Sequence, residues 1–189
     1  MEHVLVVAGS EKAAKLLTSL LSTLEIGTIT TVSSGSEARR LVNETDFDYI
    51  FINAPLPDEF GHELAASLST KANASVMMLV KGEVADEVSS RVEESGVFVV
   101  PKPINRAFFF QAVRLTVTAR RRLLGLRKEN VKLQTKIEEI RLVDRAKCAL
   151  IQYLNMTEQQ AHRYIEKQAM DMRMTRKEVA QGILKTYES

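Results

Sequence analysis

Cysteine is all but missing from this 189-residue chain. A lone Cys148 rules out an internal disulfide and any zinc cluster built on several thiolates, and it suits the reducing cytoplasm. The three histidines fall at no metal-ligand spacing, so no metal and no cofactor is expected. No apolar run approaches the roughly 18 residues that a membrane span needs. The opening stretch MEHVLVVAGS lacks a basic leader and reads as a strand, not a signal peptide. Gly9-Ser10 lacks the spacing of a phosphate-binding loop, and no activated nucleophile is evident. An enzyme is therefore the least expected class, and no catalytic residue is assigned.

What is present is unevenly distributed. Residues 1–111 carry 9 Lys/Arg against 15 Asp/Glu, a net −6, whereas residues 112–189 carry 17 against 9, a net +8. An acidic first half joined to a basic second half points to nucleic acid as the partner of the second half. The plain alternative is a solvated basic helix.

In the first half, apolar runs alternate with helical periodicity. Strands are expected at Val4–Ala8, Thr28–Val32, Tyr49–Asn53, Val76–Val80 and Val97–Val100, with helices near Glu11–Leu24, Ser36–Glu44, His62–Ser69 and Ala85–Glu94. Runs of Val, Ile, Phe and Met without polar alternation suit strands covered on both faces. The fold class is α/β, a doubly wound five-stranded parallel sheet with its crevice at the carboxyl ends of the strands.

Proline is absent from Asn105 to Leu154, and Gly125 is the only glycine there, so one long helix is expected. Leu123, Asn130 and Ile137 fall at heptad position a, and Leu126, Leu133 and Ile140 at d. This is the seam of a two-stranded coiled coil, with Asn130 favouring a parallel homodimer in register. The alternative is one long helix packing on its own domain. Beyond it, Thr157–Gln160 and Thr175–Glu178 fit the capping box and open two short helices. Ala161, Tyr164, Ile165, Ala169 and Met172 line one face of the first; Val179, Ala180, Ile183, Leu184 and Tyr187 line one face of the second. With Val143, Ala146, Leu150 and Tyr153 they complete a small three-helix bundle. Cys148 is expected as a buried or half-exposed filler. The segments expected are 1–114, 115–141 and 142–189.

The loop after the third strand, DYIFINAPLPDEFG, and Lys102-Pro103 after the fifth resemble a response-regulator receiver domain, over about Met1 to Arg114. The resemblance implies a phosphate-accepting aspartate where Asn53 stands, and two acidic Mg²⁺ ligands where Ala8 and Gly9 stand. It implies a hydroxyl where Val80 stands. Of that set only Lys102 remains, and an amide neither forms an acyl phosphate nor brings charge to a hard cation. A pseudo-receiver is expected, with Lys102 packing or bonding to Asn53, or binding an anion that needs no metal, and Asp58 and Glu59 solvated.

Residues Val143 to Leu184 resemble the ANTAR domain through the run Ala146–Ile151, Ala161 with Ile165, Ala169-Met170, Arg173 and Glu178–Ala180. Cys148, Glu166 and Arg176 depart from its usual residues. The resemblance implies an RNA-binding antitermination regulator, a homodimer that holds adjacent hairpins in a nascent transcript. The expected RNA-contacting set is Arg145, Ala146, Lys147, Arg163, Met170, Arg173, Arg176 and Lys177, supplemented by Lys167, with His162 and Tyr164 as further surfaces for bases. Lys147 and Arg173 are the favoured contacts, and Ala146 a close-approach surface. The rivals are a DNA-binding response regulator that inserts the helix from Arg176 into a major groove, and a protein-interaction adaptor that docks a signalling protein on the pseudo-receiver.

Overall fold

A computed structural model of the chain describes residues 2–71 and 74–187. Met1 and residues 188–189, the outer ends of the expected first and third segments, lie outside it. The chain divides into two compact units, Met1–Arg121 and Arg122–Ser189.

In the first unit, strands β1 (His3–Ala8), β2 (Thr28–Val32), β3 (Tyr49–Asn53), β4 (Ser75–Lys81) and β5 (Phe98–Lys102) form one parallel sheet in the order β2-β1-β3-β4-β5. Helices α1 (Glu11–Ser22), α2 (Gly35–Glu44), α3 (His62–Lys71) and α4 (Ala85–Val92) alternate with the strands. Successive strand residues point to opposite faces, so the unbroken apolar runs feed two separate cores. Val4, Val6, Phe51, Met77 and Leu79 pack against Leu17, Leu20 and Leu21 of α1. Leu5, Val7, Ile50, Ile52 and Met78 pack against Leu64, Ala65 and Leu68 of α3 and Val88 and Val92 of α4. Each such buried side chain contributes about 1.5–3 kcal/mol before entropic costs.

Helix α5 (Arg106–Leu154) runs unbroken for 49 residues. Its first turns belong to the first unit because Phe109, Ala112 and Val113 close the core over α1. Arg120 then pairs with Asp48 at the foot of β3, at 2.7 Å, with its guanidinium over the Tyr49 ring.

In the second unit, the end of α5 packs with α6 (Glu158–Met172) and α7 (Arg176–Tyr187). Both capping boxes form. Thr157 Oγ1 accepts from Gln160 N–H while Gln160 Oε1 accepts from Thr157 N–H, and Thr175 and Glu178 repeat the exchange. The core is built on Ala146, Ala149, Leu150, Ala161, Ile165, Val179, Ala180, Ile183 and Leu184. The buried face of α6 is narrower than its pattern suggested. Tyr164 and Met172 are exposed, because alanines at 146, 149, 161 and 180 bring the helices together without them. Tyr153 stacks on Tyr187 with ring centroids 5.3 Å apart and stays half exposed. Cys148 faces solvent, not the filler position expected of it.

Candidate functional site

The carboxyl ends of β1 and β3 lie side by side, with Ala8 opposite Asn53 and Asn53 opposite Leu79 on β4. β5 extends to Lys102, whose Nζ donates to Asn53 Oδ1 at 3.2 Å and to the Ala54 carbonyl. Burial and the nearby Lys81 push the Lys102 ammonium below its ordinary value of 10.5. Val80 is wholly buried in the core on the α2–α4 face and offers nothing to a phosphoryl group. At Gly9, an added Cβ would sit 2.7 Å from Pro57 Cδ, so the ring of the β3–α3 loop occupies the space an acidic side chain would need. The family's Mg²⁺ does not fit these residues. The methyl of Ala8, the bare Gly9 and the neutral amide of Asn53 replace the carboxylate oxygens that a hard dication requires, and the retained Lys102 ammonium would repel it.

Asp58, expected to be solvated, is exposed and Glu59 is partly buried, and both are bonded to α2. Asp58 accepts from Gly35 N–H and Ser36 N–H, each at 3.0 Å, and from the Ser36 hydroxyl at 2.9 Å. These backbone donors hold its carboxyl at about 2, against an ordinary 3.8. Glu59 forms a two-point pair with Arg39. The signal for this was the start of α2 itself. Ser34 caps Glu37 N–H, which leaves the N–H groups of residues 35 and 36 to a partner from elsewhere.

In the second unit, the expected contact residues divide. Ala146 is 0 % exposed at the centre of the bundle, so it is a packing residue and not a close-approach surface. Lys147 reaches Asp144 at 2.8 Å and Glu158 at 3.0 Å, and its ammonium is thereby raised above 10.5. Arg176 lies 3.7 Å from Glu166, which also faces His162 at 3.3 Å. Arg145 is exposed. Arg163, Lys167 and Met170 follow the i, i+4, i+7 spacing on the α6 face opposite Ala161 and Ile165. Arg163, Lys167, Arg173 and Lys177 make no ion pair among the described residues. Met170 is 79 % exposed.

Arg173 occupies the α6–α7 turn in the left-handed conformation, with φ 54° and ψ 39°. Its N–H bonds to the Met170 carbonyl and the Met174 N–H to that of Ala169, which closes the helix as a Schellman turn. Glycine is the usual occupant of that position. Any residue with a Cβ there costs about 1–2 kcal/mol of backbone strain.

Along α5, Leu123, Leu126, Leu133, Ile137 and Ile140 are all at least half exposed within the single chain, and Asn130 is exposed with them. Five large apolar side chains in water on one heptad stripe are an uncovered surface.

The family profile of the response regulator receiver domain matches residues 4–114, and that of the ANTAR domain matches residues 131–184. The transcriptional regulatory protein PdtaR of Mycobacterium tuberculosis (strain H37Rv) is 29% identical over 152 residues, covering 80% of this chain and 74% of that protein. Among solved structures, the signal receiver domain of an HD domain-containing protein from Pseudomonas fluorescens Pf-5 superposes with a TM-score of 0.58 at 19% identity, covering 66% of this chain and 92% of that one. A sensor histidine kinase receiver domain from Pseudomonas aeruginosa, with a magnesium ion in its active-site cleft, gives 0.53 at 17% identity, covering 62% and 98%. Likeness at this identity shows the fold alone.

Proposed function

The chain belongs to the response regulators that join a receiver domain to an ANTAR domain, and from that premise we propose an RNA-binding antitermination regulator whose receiver is not switched by phosphorylation. The observation that carries the RNA reading is Arg173. A left-handed arginine closes the α6–α7 turn where glycine is the usual occupant, and its guanidinium makes no ion pair among the described residues, which leaves it available to a phosphate or a base. Beside it in the sequence stand Met170 and the cations Arg163, Lys167 and Lys177. Unpaired bases stack on flat or soft side chains while cations hold the phosphates, which is how single-stranded loops are recognised. In this reading residues 1–114 are the pseudo-receiver, 115–141 the coiled coil and 142–189 the RNA-binding domain. The heptad stripe of α5 pairs two chains, so that two bundles engage two adjacent hairpins. Holding those hairpins keeps a terminator from forming and lets the polymerase continue.

The test is a gel-shift titration with paired hairpin RNAs and with duplex DNA as competitor. Selective hairpin binding that is lost in an Arg163→Ala/Lys167→Ala variant supports the reading. Preference for duplex moves the assignment to a DNA-binding regulator, and indifference to both moves it to an adaptor. The receiver is tested with acetyl phosphate and Mg²⁺. Intact mass should stay unchanged, and stoichiometric phosphorylation would overturn that half of the proposal.

A further inference from the structure

A cavity of about 430 Å³ opens between α1 and the loop that follows β5, beside Asn53. That size is ordinary for a small-molecule site. Its wall is apolar, with Leu16, Leu20 and Ile104, and Leu16 is left 46 % exposed. Its charge is one-sided. Lys12, Lys102 and Arg106 line it, and no carboxylate does among the described residues. This is unexpected in a half-chain that carries 9 Lys/Arg against 15 Asp/Glu.

Lys102 is the centre of the asymmetry. Its ammonium is half buried and bonds only to neutral oxygens, those of Asn53 and Ala54, with no ion pair among the described residues. A partly desolvated cation without a counter-charge is costly, and an incoming anion relieves that cost. Burial and Lys81 already push this ammonium below 10.5, the direction that an anion would reverse.

We propose that this cavity binds a small organic acid, its carboxylate on Lys102 and its apolar body against Leu16, Leu20 and Ile104. Asn53 is compatible with such a ligand where an aspartate would repel it, so the residue that removes phosphorylation also admits the anion. Lys12 and Arg106 at the rim raise the local concentration of acids. The cavity lies wholly within the first unit, so the inference stands or falls independently of the RNA reading.

Isothermal titration of the full chain with octanoate, 4-phenylbutyrate and indole-3-acetate tests it, with 4-phenylbutanol as the uncharged counterpart and inorganic phosphate as the bare anion. At least one carboxylate should bind saturably with one site per chain. The alcohol and phosphate should each bind about tenfold more weakly or worse, since a charged hydrogen bond and the apolar wall each supply part of the affinity. Lys102→Met should bring the acid to the level of the alcohol without changing the alcohol. Leu16→Glu, at an exposed position that leaves the fold intact, should abolish both. Methyl shifts of Leu16 and Ile104 on titration should follow the same saturation curve. Absence of saturable binding by every carboxylate, equal affinity for acid and alcohol, or indifference to Lys102→Met would overturn the proposal.

Discussion

Lys147 Nζ lies 3.0 Å from Glu158 Oε1 and so ties the end of α5 to the first turn of α6. Asp144 takes the same ammonium at 2.8 Å, and only 17 % of the side chain is exposed. Its positive charge is therefore engaged by two carboxylates at the surface of the bundle. It is a positioning residue before it is a phosphate contact.

The consequence is a split between stability and salt dependence. Lys147→Met should lower bundle stability by about 0.5–1 kcal/mol, the scale of a partly exposed ion pair, while leaving the salt slope of RNA binding nearly intact. Arg163→Ala/Lys167→Ala should do the reverse, with little change in stability and a slope reduced by about one to two. Urea unfolding and filter binding between 50 and 200 mM salt, run on both variants, decide it. A slope that falls in Lys147→Met would return that residue to the contact set.

Arg173→Gly separates fold from recognition at one position. Glycine adopts φ near 54° freely, so the turn between α6 and α7 should be relieved of strain, and the bundle should gain up to about 1 kcal/mol. RNA affinity should nevertheless fall about tenfold or more, because the guanidinium is gone. Arg173→Lys keeps charge and strain but not the planar fork, and should recover only part of the affinity. Unchanged RNA binding in the glycine variant would remove Arg173 from the interface.

The extent to which the sequence disclosed all this follows from the range of the forces involved. Strands such as Tyr49–Asn53 and caps such as Thr157 and Thr175 are set by neighbours within four residues, and they appear where local pattern puts them. The core of the receiver was equally legible, since short unbroken runs rich in Val, Ile and Phe suit strands covered on both faces. Asp58 is exposed as expected, but its bonds were not legible because its partners, Gly35 and Ser36, are more than twenty residues away in sequence. The helical pattern set Ala146 on the bundle face with Val143 and Leu150, and there it lies; only the close-approach role implied by the resemblance fails, because the methyl is spent in the core. Lys147 looked like a free cation because Glu158 belongs to the next helix.

The clamp between Asp58 and α2 makes the receiver sensitive to acid. The folded carboxyl titrates at about 2 and its ordinary value is 3.8. Its stabilisation is therefore whole above about pH 4 and is lost as pH falls through about 2. Thermal unfolding followed from pH 6 to pH 2 should show a steeper decline in Tm for the native chain than for Asp58→Asn, with the curves converging at the acid end. Parallel curves would mean that the N–H groups of Gly35 and Ser36 are as well served by water.

The heptad stripe on α5 carries the strongest demand for a partner. Leu123 is 66 % exposed and Leu133 62 % exposed, and each would contribute about 1–2 kcal/mol if the rest of it were covered. Asn130 between them cannot be buried singly without an amide opposite, which is what a parallel, in-register pair provides. Leu126→Asp/Leu133→Asp should thus convert a dimer to a monomer in sedimentation equilibrium, and should weaken binding to paired hairpins much more than to a single hairpin. Asn130→Leu should instead raise the unfolding temperature and release the register, so that higher oligomers or antiparallel pairs appear by cross-linking. The two variants act on opposite sides of the same balance, apolar burial against specificity. A native chain that sediments as a monomer would leave the stripe without its proposed partner and would reduce the RNA reading to one hairpin per chain.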